Sequence, residues 1–269
     1  MSTERQYSDA VLDSMQLAYG EGFLSPGGAQ ETRDLLDGVT VKAKRCLDFG
    51  SGVGGAAMLL VNELGAGRVI GVDVEAAAVE RARDASRGAG LDAQIGFDVI
   101  EPEGELPLAN ASVDLAITKD VICHVKDKRK LFAEIWRVLE PGGTFNIADW
   151  ILGTAESGRT PFEQWLEQLS SYGLRFHYET IDDYVQALRD VGFVDIRTTD
   201  HTTWSTDNTQ AQIERALGTA KQSSTAALGD AGYQKRTSLT RARLAALQAR
   251  GVEHWLIRAI RPNGNGAKK

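Results

Sequence analysis

The residues best suited to chemistry in this chain are glycines and acids that recur at fixed intervals. Asp48 precedes a loop containing Gly50, Gly52 and Gly55, and Asp73 stands 21 residues beyond Gly52. Only glycine lets a backbone pass this close to a ligand without a side-chain clash. A carboxylate at the end of the following strand can accept both hydroxyls of a ribose. The pattern therefore reads as a nucleoside site. Its occupant stays open, because G-x-G-x-x-G also serves nicotinamide and flavin dinucleotides. Asp48 weighs against those, since an anion there repels a pyrophosphate and suits a cationic amino-acid group.

The elements that must position these residues follow from the apolar pattern. Strands are expected at 45–49, 68–74, 93–98, 113–118, 143–149 and 193–199, with a last one near 253–261. Helical periodicity lies between them, at 54–64, 75–88, 127–138 and 180–191. Strands alternating with helices argue for an α/β fold built on a doubly wound parallel sheet. The ligand then belongs at the carboxyl ends of the strands, beside the first crossover. Val138-Leu139-Glu140-Pro141-Gly142-Gly143 reads as a helix stop and a turn into the fifth strand. Residues 1–40 precede the first strand, and 151–178 and 204–251 are long and mainly helical. Residues 1–40 are expected to form an N-terminal lid, 41–150 the ligand-binding core, 151–261 the remaining strands with a helical cap, and 262–269 a disordered tail.

Composition bounds the function. The 269 residues carry a net charge of −7, which argues against a nucleic-acid polyanion as partner. Lys235, Arg236, Arg241, Arg243 and Arg250 read as the solvated face of an amphipathic helix. The two cysteines, Cys46 and Cys123, read as reduced buried thiols. The polar start lacks a signal-peptide core, and no apolar run reaches membrane-spanning length, so a cytoplasmic enzyme without a membrane partner is expected. His177, His201 and His254 show no metal-ligand spacing and read as structural; no metal is expected. Oligomeric state is not legible.

The Asp-x-Gly-x-Gly loop, the acid ending the second strand and the Leu-x-Pro-Gly-Gly turn occur here in the order seen in class I S-adenosylmethionine-dependent methyltransferases, which the chain resembles. The resemblance implies a seven-stranded Rossmann-like sheet whose last strand returns antiparallel, with S-adenosylmethionine as cofactor and S-adenosylhomocysteine as product. It places the methionine moiety at Gly50 and Gly52 with Asp48 near its ammonium, the ribose at Asp73, and the adenine against Val74 and Val99 with Asp98 at its amine. Ser25 falls with this group, and Lys119 reads equally as a contact to the cofactor carboxylate or as a solvent-facing lysine.

Two further segments sharpen the likeness. Tyr19-Gly20-Glu21-Gly22-Phe23-Leu24-Ser25-Pro26-Gly27-Gly28 is similar to the opening of phosphoethanolamine N-methyltransferases, and Lys119-Asp120-Val121-Ile122-Cys123-His124 to their Arg-Asp-x-x-x-His. Related small-amine methyltransferases share the histidine segment and part of the ending Gly251–Trp255. The likeness implies a catalytic pair of Tyr19 and His124, with His124 as base and Tyr19 orienting it. Asp120 would receive an acceptor ammonium or stabilise the positive charge growing on nitrogen. The departures lie in the cap. Ser170, Leu174 and Phe176 stand where two tyrosines and an arginine would hold a phosphate, with Arg175 only adjacent, and Trp150 replaces a tyrosine. A buried dianion without partners is costly, so phosphoethanolamine is not expected. Trp150, Tyr172, Phe176 and Arg175 are the expected acceptor contacts, with Trp165 and Tyr178 nearby. N-methylation of a small amine is the leading expectation. O- or C-methylation of an aromatic or prenyl diphosphate acceptor is the alternative, and an NAD-dependent oxidoreductase is the alternative of another class.

Overall fold

The structure is a computed structural model that describes residues 9–171, 173 and 175–264. Helices α1 (Asp9–Tyr19) and α2 (Gly28–Leu35) come before the first strand. The described strands are β1 (Arg45–Phe49), β2 (Arg68–Asp73), β3 (Ile95–Val99), β4 (Val113–Lys119), β5 (Leu139–Leu152), β6 (Val194–Asp200) and β7 (Val252–Ile260). They form one seven-stranded sheet in the order β3-β2-β1-β4-β5-β7-β6. Strands β1 to β5 are parallel neighbours, and β7 runs antiparallel to both β5 and β6. The strand order reverses at β1 and β4, so the crevice for a ligand opens above their carboxyl ends.

Helices α3 (Gly55–Asn62) and α4 (Ala76–Gly88) follow the first two strands, and α5 (Lys128–Val138) and α7 (Ile181–Val191) follow β4 and β5. One apolar layer joins Leu47, Phe132, Ile135, Phe145 and Tyr184; the other joins Leu60, Val69, Val79, Phe97 and Leu115. Local chemistry sets the helix ends. Asp127 accepts from the Lys130 backbone, Thr180 and Asp183 form a reciprocal capping box, and Gly192 ends α7 with φ 108°.

The expected strands and helices lie within a few residues of the observed ones, with one instructive exception. Strand β5 begins at Leu139 rather than 143, because Leu139 already pairs with Val113 before the register shifts. Gly142 makes the shift possible at φ 81°, and its N–H donates to the Arg261 carbonyl at 2.8 Å.

The cap consists of α6 (Arg159–Ser170), α8 (Thr202–Leu217) and α9 (Lys221–Gln248), with α9 broken at Gly229. Helices α6 and α8 pack against α9, and so does α1, which ties the N-terminal segment to the cap. Arg236 donates to the Ser14 carbonyl across that junction. Both cysteines are free and buried, and burial pushes the Cys46 thiol up to about 12. Among the described residues no helix is long and apolar enough to cross a membrane.

Candidate cofactor and acceptor site

Strand β1 carries Asp48 into the crevice, and the chain then turns through Gly50 and Gly52 at φ 80° and 52°. The glycines are needed for contact as well as for φ. A Cβ on Gly50 would lie 2.2 Å from a Val121 methyl, and one on Gly55 would lie 2.3 Å from the Gly22 carbonyl oxygen. The Gly55 N–H donates to that same carbonyl at 3.0 Å. The segment from Gly20 to Gly28 is thereby laid directly on the glycine loop.

Asp48 is 3% exposed, and its Oδ2 has no hydrogen-bond partner. Burial, with the nearby Asp73 charge, pushes its carboxyl up to about 7. The Ser51 hydroxyl beside it is also buried and unpartnered. Uncompensated buried polar groups are rare, and such a group calls for an explanation. A cationic ligand group at this point would supply one. Asp73 accepts from the Gly52 and Glu75 N–H groups at 2.8 and 2.9 Å, which fix its carboxylate at the mouth of the loop. Val74 and Val99 are exposed, as apolar faces left for a planar base would be. Asp98 is half exposed, with Arg83 3.9 Å away. These residues fit a nucleoside carrying a positively charged amino-acid group.

Lys119 is buried rather than solvent-facing. Its ammonium donates to Ser25 Oγ, Glu31 Oε2 (2.9 Å), Asp120 Oδ2 (3.2 Å) and the Pro26 carbonyl (3.3 Å). Burial opposes its charge, but Glu31 and Asp120 outweigh burial and raise its pKa. Asp120 sits at φ 58°, a strained conformation for a non-glycine residue. Its Oδ1 accepts from His254 Nε2 at 3.0 Å. Burial would raise its carboxyl, yet Lys119, His254 and Ser25 hold it at about 2. Asp120 is thus paired with Lys119 and His254 within the protein.

His124 ends a short 3-10 turn after β4. Its Nδ1–H donates to the Arg175 carbonyl at 2.8 Å, and its ring lies 4.4 Å from Phe176. This bond fixes the tautomer and leaves Nε2 with its lone pair. Burial lowers the imidazole pKa, so the ring stays neutral at physiological pH. No hydrogen bond or ring contact joins His124 to Tyr19 among the described residues. Tyr19 turns instead toward α9, its ring 5.5 Å from the Arg236 guanidinium. Burial alone would raise the Tyr19 phenol, but Arg243 and Arg236 outweigh it and leave its pKa lowered.

Behind His124 the aromatic residues pack as one cluster. Phe176 stacks on Tyr178 at 5.3 Å, Tyr178 meets Phe162 and Trp165, and Trp165 lies 5.8 Å from Trp150. The Tyr178 hydroxyl is buried with no partner. Arg175 presents its carbonyl to His124 while its side chain is exposed. Tyr172, expected among the acceptor contacts, lies outside the described residues.

Arg236 and Arg243 depart from the sequence reading of a solvated helix face. Arg243 is 6% exposed, 5.9 Å from the Trp150 ring, and its Nε is buried and unpartnered. The kink at Gly229 and the packing of α1 and α8 on α9 turn that face inward. Glu31 and His254 were also missed. Glu31 drew no reading from the sequence, where nothing sets it apart from the other acids. His254 carried a signal only through the Gly251–Trp255 ending. The fold also brings Glu31, His201 and His254 together, with donor atoms within 4.8 Å of one another.

Residues 47–147 match the model of a methyltransferase domain. In sequence it is 28% identical to phosphoethanolamine N-methyltransferase 1 of Arabidopsis thaliana over 73% of its own length and 38% of that protein. It is 32% identical to methyltransferase GfsG of Streptomyces halstedii, over 66% of this chain and 63% of that protein. Among solved structures it resembles Haemonchus contortus phosphoethanolamine N-methyltransferase 2, crystallised with phosphomonomethylethanolamine and S-adenosylhomocysteine. That similarity has a TM-score of 0.87 at 25% identity and covers 96% of this chain and 58% of that one. The chain spans less than half the length of the plant relatives it matches. The chain therefore resembles the phosphoethanolamine N-methyltransferases in both sequence and fold.

Proposed function

We propose that this chain transfers a methyl group from S-adenosylmethionine to the nitrogen of a small amine and releases S-adenosylhomocysteine. The observation that carries the reading is the buried, unpartnered Asp48 oxygen beside a glycine loop whose next strand ends in Asp73. Asp48 would take the cofactor ammonium, Gly50 and Gly52 the methionine backbone, Asp73 the ribose, and Val74, Val99 and Asp98 the adenine. Bound there, the sulfonium supplies an electrophilic methyl that an unprotonated nitrogen can accept.

The chain's own residues do the rest. His124, neutral and with Nε2 free, takes a proton from the acceptor ammonium. Its Arg175 bond holds the ring in that tautomer, and the aromatic cluster excludes water behind it. Arg236 and Arg243 support an acceptor that also carries an anionic group, since Arg243 Nε is buried without a partner. This reopens phosphate- and carboxylate-bearing amines as acceptors. The packed aromatic cap favours a second reading, O- or C-methylation of a larger acceptor.

The deciding experiment is mass spectrometry of a panel of amines, phosphobases, phenols and prenyl diphosphates incubated with enzyme and S-adenosylmethionine. A gain of one methyl mass on an amine nitrogen supports the reading. Methylation confined to oxygen or carbon replaces it.

A further inference from the structure

Beside the groups assigned above lies a second set of buried titratable residues. His254 is fully buried on β7, and its Nε2 lies 3.0 Å from Asp120 Oδ1 and 3.2 Å from Glu31 Oε1. The antiparallel register pairs His254 with Trp150 of β5, whose ring meets the imidazole edge-on at 4.8 Å. The Thr202 hydroxyl accepts from the His254 backbone N–H at 3.1 Å. The ring thus lies between the Trp150 ring and the Glu31 and Asp120 carboxylates, with its Nδ1 buried and unpartnered.

We infer that His254 and Glu31 are positioning residues that set Lys119 and Asp120, and through them close the N-terminal turn over the methionine end of the cofactor site. The inference rests on the methyltransferase reading above. Lys119 has three N–H donors, and they face Ser25, Pro26, Glu31 and Asp120, two elements of the N-terminal segment and one strand end. Its ammonium thus joins α2 and the Ser25 turn to the end of β4. Asp120 holds its left-handed backbone because His254 and Lys119 secure both carboxylate oxygens, while its N–H donates to the Ala148 carbonyl at 2.8 Å. The next residue, Val121, rests on Gly50. Any tilt at Asp120 moves Val121 against the glycine loop.

Charge bookkeeping explains why a histidine stands here. Glu31 and Asp120 bring two negative charges to the single ammonium of Lys119, so the cluster balances when one further proton resides in it. Burial lowers the His254 pKa, but Glu31 and Asp120 outweigh it and the pKa is raised. The groups facing His254 are Glu31 from α2, Lys119 and Asp120 from the end of β4, Asp149 from β5, and His201 between β6 and α8. Only Lys119 and His201 among them are basic. The three donor atoms of Glu31, His201 and His254 could also meet a metal, but Lys119 already places a cation on Glu31 at 2.9 Å.

The test is calorimetric titration of S-adenosylhomocysteine into the full chain between pH 6.5 and 8.5, where the lowered pKa of His124 leaves its ring mainly neutral. Three variants are compared with wild type: His254→Leu, His254→Gln and Glu31→Gln, each checked for folding by thermal unfolding. Wild-type affinity should weaken as pH rises through the His254 pKa, because the cluster then loses its balancing proton. His254→Leu should bind at least tenfold more weakly. His254→Gln keeps an N–H for Asp120, so it should recover to within threefold of wild type at the high-pH end with a flatter profile. The difference between the wild-type and Gln profiles removes the contribution of Asp48. Glu31→Gln should move the wild-type fall in affinity to lower pH, and it decides the matter if His254→Leu does not fold. Wild-type-like affinity and pH profile in Glu31→Gln and in every folded His254 variant would overturn the inference. So would one equivalent of tightly bound divalent metal that disappears with His254→Leu. Failure of wild type to bind S-adenosylhomocysteine at all would instead remove the methyltransferase reading beneath it.

Discussion

Replacing His124 by Gln separates a catalytic histidine from a packing one, because the two roles carry different magnitudes. The structural loss is one neutral hydrogen bond, from Nδ1–H to the Arg175 carbonyl at 2.8 Å, and part of the contact with Phe176. Such a bond contributes about 0.5–1.5 kcal/mol, so structure alone allows roughly a tenfold effect. Removing a general base costs about 10²–10⁴ in rate. Burial lowers the His124 pKa below its usual 6.5, so at pH 7.5 the ring is deprotonated by at least about ten to one. The wild-type rate should therefore be flat near neutrality and fall on an acid limb below about 6.5. In His124→Gln, kcat should fall at least about a hundredfold and the acid limb should vanish, with S-adenosylhomocysteine affinity retained. The assay is steady-state methyl transfer from pH 5 to 8.5, using an acceptor identified from the panel. A kcat loss below tenfold with the acid limb still present would refute the assignment.

Asp48→Asn should raise the stability of the ligand-free protein at pH 8 by up to about 4 kcal/mol, since its folded carboxyl sits near 7 against 3.8 when free. The sign follows because the folded state holds an extra proton between those values, so wild-type stability falls as pH rises through them. The gain in chemical denaturation should shrink as pH drops from 8 toward 4, while cofactor affinity is lost; an unchanged midpoint at pH 8 would count against the buried-charge argument. Gly55→Ala drives a Cβ to 2.3 Å from a backbone oxygen that cannot give way, and should cost about 1–3 kcal/mol. Limited proteolysis should then cut the Gly20–Gly28 segment faster, and wild-type resistance would contradict the close packing. Arg243→Gln should raise the acceptor KM about tenfold or more and leave S-adenosylhomocysteine affinity unaltered by calorimetry; the reverse pattern would place Arg243 with the cofactor.

Much of the sheet was legible because its signals are local. A buried strand, a glycine turn and a capped helix each fit in a short window, and Thr180 with Gly192 marks both ends of α7. The acid-and-glycine half of the site was legible for the same reason, since Asp48, Gly52 and Asp73 lie on consecutive elements. The rest depends on long-range packing. Glu31 meets Lys119 across 88 residues, and His254 meets Asp120 across 134. No periodicity encodes such a meeting. Arg243 faces inward only because α1 and α8 cover α9, which the pattern of α9 alone does not reveal. Tyr19 is a different case. Its motif suggested a partner in His124, while the packing of α1 on α9 gave it Arg236 and Arg243.

Everything proposed depends on what the crevice above β1 and β4 accepts. Calorimetric titration of the wild-type chain with S-adenosylmethionine, S-adenosylhomocysteine and NAD tests this most directly. Saturable one-to-one binding of both sulfur nucleosides, lost in Asp73→Ala, with no heat from NAD, is the predicted result. Saturable NAD binding with neither sulfur nucleoside bound would contradict the account.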